Sequence, residues 1–240
     1  MVQGGARLPL SRMTASLPGL LARALPPGAI GHEAGADDWH AELHPVEARL
    51  VADAAARRVQ EVAATRACAR RALADLGAPV AYLDRDEQRV PRWPAGVVGS
   101  LTHSRDYAAS AVAWSRDLAG LGIDAETIER VARANIESAI ATPREARWVA
   151  GCEPALRGHA LALLFSAKEA AYKCVFPRTR EVVGFAAAAF ELAGDLAADC
   201  GEFRVQFSAT TQASRWGTIA GRFSTDQSRM VTAAWLQAHE

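Results

Sequence analysis

Paired cysteines are missing from this sequence. The four present, Cys68, Cys152, Cys174 and Cys200, have neither the spacing of a zinc site nor the density of a disulfide framework, so reduced, buried thiols are expected. Net charge is also missing. Lys and Arg number 27 together, as do Asp and Glu, which leaves no global field to recruit nucleic acid or an anionic membrane; any basic site must be local. No run of 18 apolar residues occurs, because even the alanine-rich stretch from Gly184 ends at Glu191. Near the N-terminus Arg7 and Arg12 are followed by one apolar stretch, but Pro18, Arg23 and the Pro26-Pro27 pair interrupt it as a signal core. A cytoplasmic protein with no nucleic-acid or membrane partner is expected. Short internal repeats and low-complexity tracts are absent as well.

What the chain does have is apolar content, 50% over 240 residues, enough to build one large domain or two small ones. Its most informative stretch is Gly120 to Glu126, GLGIDAE. Leu121 and Ile123 alternate with Gly122 and Asp124, so the segment reads as a short strand with Asp124 and Glu126 on one face. Two carboxylates aimed at one spot repel unless something positive lies between them, and a hard divalent cation meets that need. A solvated surface pair satisfies the same pattern, so the triplet alone does not decide. Thr102 and His103 form a polar cluster upstream, His103 lying 21 positions before Asp124. Glu169 follows 43 positions after Glu126, on a predicted helix with Lys168 and Lys173.

Residues 1 to 43, broken by Pro9, Pro18, Pro26 and Pro27, predict irregular structure with one short strand. Pro45 can open a helix whose apolar periodicity continues to a stop at Gly77, with a break near Arg58 to Glu61. Its polar positions hold Arg57, Arg58, Arg66, Arg70 and Arg71, which composition alone reads as a solvated face. Strands are predicted at Val80 to Leu83, Val97 to His103, Tyr107 to Trp114 and Gly120 to Glu126, the last three as neighbours in one sheet. Thr142, Pro143 and Glu145 form a capping box opening one helix, and Pro154 starts another that Pro177 stops. On the latter, Ser166, Glu169 and Lys173 share a face. The remainder reads as strands at Val182 to Leu192, Phe203 to Ala209, Trp216 to Phe223 and Met230 to Leu236. Helices followed by clustered strands imply an α+β architecture.

Three motifs occur in order: GSLTH (Gly99 to His103), GIDAE (Gly122 to Glu126) and FSAKEAAYK (Phe165 to Lys173). Together they resemble the Sfp/EntD-type 4′-phosphopantetheinyl transferases. EVAATRACAR (Glu61 to Arg70) and PRWP (Pro91 to Pro94) extend the resemblance upstream, so that it covers about residues 42 to 185. Ala125 in the middle of the acidic triplet leaves only Asp124 and Glu126 to supply carboxylates there. Cys174 stands where alanine is more usual, a variation in packing.

The resemblance implies transfer of the 4′-phosphopantetheine arm of coenzyme A to a serine of an apo acyl or peptidyl carrier protein, releasing adenosine 3′,5′-bisphosphate. It implies two similar α+β halves related by a pseudo-twofold, residues 1–119 with the phosphate-binding motif and 120–240 with the metal-binding motifs. The coenzyme would lie between them. Attack on a pyrophosphate must overcome anionic repulsion and expel a charged leaving group, for which magnesium held by Asp124, Glu126 and Glu169 is the expected cofactor. Glu169 is the expected base and Lys173 neutralises the pyrophosphate. Ser100, Thr102 and His103 are expected to cradle phosphate, with Arg58, Arg66 and Arg89 on the coenzyme's 3′-phosphate and adenine. Two alternatives compete. A magnesium-dependent phosphohydrolase would use the same carboxylates on water and release phosphate without a carrier. A nucleic-acid-binding module would use the Arg57 to Arg71 cluster and show salt-dependent oligonucleotide binding.

Overall fold

The computed structural model describes residues 19–238. Expectations for the signal core and for irregular chain before Gly19 lie outside the described residues. The architecture is α+β and uses two antiparallel sheets. The first contains β1 (Ile30–Glu33), β2 (Val97–Ser104) and β3 (Tyr107–Trp114) in the order β1-β3-β2. The second contains β4 (Leu118–Thr127), β5 (Ala188–Ala193), β6 (Cys200–Phe207), β7 (Thr218–Thr225) and β8 (Arg229–Gln237) in the order β4-β8-β7-β6-β5. Short helices α1 (Leu20–Ala24) and α2 (Pro45–Ala48) precede the long α3 (Ala56–Leu76), which packs on β1 and β3. After β4 come α4 (Ile128–Arg133), α5 (Glu137–Ile140), α6 (Pro143–Gly151) and the long α7 (Arg157–Thr179), which packs across β4 and β8. The largest core cluster lies between α7 and the second sheet, where Leu163, Leu164, Phe203 and Phe223 are fully buried.

Each long helix ends in left-handed backbone, at Gly77 (φ 72°) after α3 and at Arg180 (φ 56°) after α7. The glycine is the stop that sequence predicts. Pro177, by contrast, does not stop α7: it sits inside the last turn and the helix runs on to Thr179. A proline there forfeits one helical hydrogen bond near an end that is already fraying, a smaller loss than in mid-helix. Thr142 caps α6 as expected, its hydroxyl accepting from the Glu145 amide at 3.4 Å while Glu145 accepts from the Thr142 amide at 2.7 Å.

Several expectations are corrected. β4 is not in the sheet of β2 and β3: its ladder partner is β8, with Asp124 opposite Thr232 and Glu126 opposite Met230. β2 and β4 are the neighbouring edges of two sheets, joined by side chains, the Ser100 hydroxyl accepting from the Ile123 amide at 3.0 Å. The helix break falls earlier than predicted, between the 3-10 turn Arg49–Val51 and Ala56. Residues 80–83 form no strand. They run as extended loop, held where Glu47 accepts from the Leu83 amide at 3.1 Å, so a side chain does the work of a ladder. The ambiguous segment from Val182 splits into a 3-10 turn at Phe185–Ala187 and β5. Cys68 and Cys174 are buried free thiols, whereas Cys200 is exposed on β6.

The arginine run on α3 is not simply a solvated face. Glu47 is fully buried and accepts from Arg70 Nη1 at 3.1 Å, with Arg66 Nε 3.9 Å away. Arg71 holds Asp38 through both oxygens, at 2.5 and 2.8 Å. These pairs tie α3 to the segments before it, an arrangement that helical periodicity alone does not reveal.

Candidate active site

Where β2, α3 and α7 meet, the fold leaves a cavity of about 670 Å³. Arg58 and Arg66 reach it from α3, Ser100, Thr102 and His103 from β2, and Lys173 from α7. The loop at residues 85–91 adds Arg85 and Arg89, and Tyr172 and Phe176 supply an aromatic wall. The sequence reading missed Arg85, Tyr172 and Phe176. Arg85 carries no motif, and the two aromatics read as ordinary core positions of a helix.

The cavity depends on a close approach of α7 to β4. A Cβ built on Gly122 would meet the Cys174 backbone nitrogen at 2.6 Å and the Ala170 carbonyl oxygen closer still. Only glycine lets the helix backbone lie against the strand here. That approach brings Lys173 Nζ to 2.7 Å from Asp124 Oδ1 and 3.2 Å from the Ile123 carbonyl. Thr102 donates to the same Asp124 oxygen at 3.4 Å, so residues of all three motifs meet at this carboxylate. Burial opposes the charge on Lys173, but Asp124, Glu169 and Glu126 together hold its ammonium above the ordinary lysine range.

Asp124 and Glu126 are both buried on β4. Glu126 accepts from Arg130 Nη2 at 2.8 Å, a partner from α4 that sequence reading did not assign. Burial and the neighbouring Asp124 still push its carboxyl above the usual range. Glu169, half-buried on α7, is raised by burial, against the pull of Lys173, and by Asp124 and Glu126. Its carboxylate has no hydrogen-bond partner among the described residues. Three carboxylates within electrostatic reach of one another therefore share a site with one lysine.

As placed, no three Asp, Glu, His or Cys side chains among the described residues form a ready-made ion-binding group. Asp124 and Glu126 each turn one oxygen to a cationic side chain instead. Asp124 Oδ2, however, is buried and without a partner. Leaving a charged oxygen unpaired in the interior is costly, and a hard cation would relieve it. The donor set is all carboxylate oxygen, which suits magnesium better than a soft metal.

The far end of the cavity is cationic. Arg66 is buried with its Nε unpaired, and burial lowers its pKa to about 10 against the opposing effect of Glu47. Arg89, in left-handed backbone (φ 67°), projects from an exposed turn. Arg58 contacts His103 Nε2 and also Glu61 Oε2 at 3.2 Å. Burial and Arg58 depress the His103 pKa, which Glu61 partly offsets. Ser100 lines the cavity, and its hydroxyl accepts from the Ile123 amide, which leaves the O–H free to donate. That bond also ties β2 to β4.

Lys168, although adjacent to Glu169, points away from the cavity. Its fully buried ammonium donates to Glu145 at 2.7 Å and to the Ile140 and Phe185 carbonyls at 2.8 and 3.1 Å. Glu145 is thus more than a helix cap; it also accepts from the Phe190 amide at 2.6 Å.

Two family models match the chain. Residues 46–113 match the model of the 4′-phosphopantetheinyl transferase N-terminal domain, and residues 120–229 that of the 4′-phosphopantetheinyl transferase superfamily. The chain is 36% identical over 226 residues to the 4′-phosphopantetheinyl transferase Svp of Streptomyces mobaraensis, spanning 91% of this chain and 90% of that one. It is 40% identical over 144 residues to the 4′-phosphopantetheinyl transferase Npt of Nocardia iowensis, spanning 60% of this chain and 64% of that one. With the 4′-phosphopantetheinyl transferase PptT of Mycobacterium tuberculosis it shares 35% identity over 195 residues, 80% of this chain and 85% of that one.

Proposed function

The chain belongs to the 4′-phosphopantetheinyl transferase superfamily and is a transferase of phosphopantetheine to carrier proteins, and we propose that the cavity between α3, β2 and α7 holds coenzyme A with its pyrophosphate at Lys173. The observation that carries this reading is the polarity of one continuous cleft. Arg58, Arg66, Arg85, Arg89 and Lys173 line it together with His103, and Lys173 is bonded to Asp124. A polyanion with separated phosphate groups matches that distribution. Tyr172 and Phe176 offer apolar contact to the nucleotide or the pantetheine arm.

In the proposed reaction the carrier's serine oxygen forms a bond to the β-phosphorus. The bond from that phosphorus to the bridging oxygen breaks, and adenosine 3′,5′-bisphosphate leaves. The serine proton passes to Glu169, whose unengaged carboxylate is made more basic by burial. Lys173 stabilises charge that grows on the leaving phosphate. Asp124, Glu126 and Glu169 would hold magnesium, with Arg130 released from Glu126. When bound, the ion would neutralise the pyrophosphate and so favour both attack and departure. Thr102 orients Asp124.

Acyl and peptidyl carriers are the proposed acceptors and the cytoplasm the proposed compartment. Among the described residues no helix is long and apolar enough to cross a membrane. Incubation with coenzyme A, magnesium and a panel of apo carrier proteins, followed by intact-mass measurement, tests the proposal. Addition of one phosphopantetheine mass to the carrier, dependent on magnesium, is expected. Phosphate release without any carrier would point to a hydrolase instead.

A further inference from the structure

The cluster of Arg58, Glu61 and His103 at the mouth of the cleft has a proton arrangement set by elementary hydrogen-bond chemistry. Arg58 Nη1 bonds His103 Nε2. A guanidinium has donors only, so Nε2 must accept and the ring must be neutral, its single proton on Nδ1. Nδ1 faces Glu61 Oε2 at 3.4 Å. Glu61 also accepts from Arg57 Nε at 3.3 Å and from Arg58, and its side chain is only 12% exposed. In this arrangement His103 offers the cavity no N–H at all, although it lines the place where a phosphate would be received.

We propose that Glu61 makes the outer phosphate subsite proton-coupled: a phosphate monoester dianion draws Arg58 away from His103 Nε2, and that nitrogen takes a proton from solvent and donates it to the anion. Nδ1 stays beside Glu61, whose carboxylate supplies the counter-charge for the imidazolium. Glu61 acts through His103 and is a positioning residue, a part that no motif in the sequence assigns to it. The charged groups facing His103 are Arg58 and Glu61 from α3, Lys173 from α7 and Asp124 from β4. Replacing the Arg58 contact by a dianion removes a cation from Nε2 and adds two negative charges, both of which favour the protonated ring. The inference rests on the reading that the coenzyme's 3′-phosphate lies at this end of the cleft.

Calorimetric titration separates the two ideas. Adenosine 3′,5′-bisphosphate and adenosine 5′-monophosphate are titrated into the full chain at pH 7.5 with chelator present, in buffers of different ionisation enthalpy. Both ligands are then almost wholly dianionic at each phosphate, their second pKa being about 6, so their own titration does not mask the effect. The bisphosphate is expected to take up a proton on binding, approaching about one per site, and the monophosphate none. His103→Gln should abolish the uptake. Glu61→Gln should at least halve it and weaken bisphosphate binding by about 10-fold, with monophosphate affinity unchanged. Preferential binding of the bisphosphate with no uptake, or uptake unchanged in either variant, would overturn the proton coupling while leaving the 3′-phosphate assignment standing. Equal affinity for the two ligands would overturn the assignment itself.

Discussion

Replacing Gly122 by alanine is the sharpest test of how the site is assembled. The added methyl would overlap the Ala170 carbonyl and the Cys174 amide nitrogen, the latter at 2.6 Å, and both are backbone atoms of α7 that no side-chain rotation can move. The helix must retreat from β4. Overpacking of this kind costs about 1–3 kcal/mol. The effect on catalysis should be larger than that on folding. A retreat of about 1 Å would stretch the Lys173–Asp124 contact from 2.7 Å to about 3.7 Å, past hydrogen-bonding range, and shift Glu169 with it. Misplacement by about that distance costs on the order of 10²-fold in rate. Urea unfolding gives the stability change, and intact-mass measurement of carrier modification gives the rate. Gly151→Ala is the control, since a methyl at that helix end meets nothing within 4 Å. If Gly122→Ala transfers at the wild-type rate with unchanged stability, the close approach is not what organises the site.

Other outcomes follow from the same geometry. Glu169→Gln keeps the shape and an oxygen ligand but loses basicity, so excess magnesium should restore coenzyme binding while transfer stays about 10²- to 10⁴-fold slow; restored transfer would reduce Glu169 to a ligand. Asp38 is held below the usual carboxyl range, first by its hydrogen bond to Arg71. Its folded pKa lies below the unfolded value, so its contribution to stability is present above about pH 3.8 and is lost as pH falls through the folded pKa. Unfolding midpoints of wild type and Asp38→Asn should therefore differ at pH 7 and converge in acid; a constant difference refutes the ion pair's role. Exposed Cys200 should react first with a thiol reagent, while Cys68, pushed by burial to about 12, and buried Cys174 stay silent until unfolding. Early labelling of Cys68 would contradict the packing of α3 on β3.

Sequence alone determined the elements that carry the chemistry. Alternation in GLGIDAE placed Asp124 and Glu126 on one strand face, and helical spacing placed Ser166, Glu169 and Lys173 on one helix face, because both periods are properties of the local backbone. The stop at Gly77 and the cap at Thr142 are equally local. The family's motifs were legible for the same reason, each being a short run of neighbours. Tertiary structure decided which elements meet. That β4 pairs with β8 rather than β3 depends on residues more than 100 positions apart, to which no local pattern refers. The commitment of Lys168 to Glu145, against that of Lys173 to Asp124, was likewise invisible. Both lysines share one helix, and only the packing around it decides which one is buried away from the cleft and which one faces it. Arg85 and Glu61 joined the site through long-range approach, and a charged residue on a loop or helix surface carries no mark of the partner that folding will bring to it, whereas Arg130 pairs locally with Glu126, four residues before it.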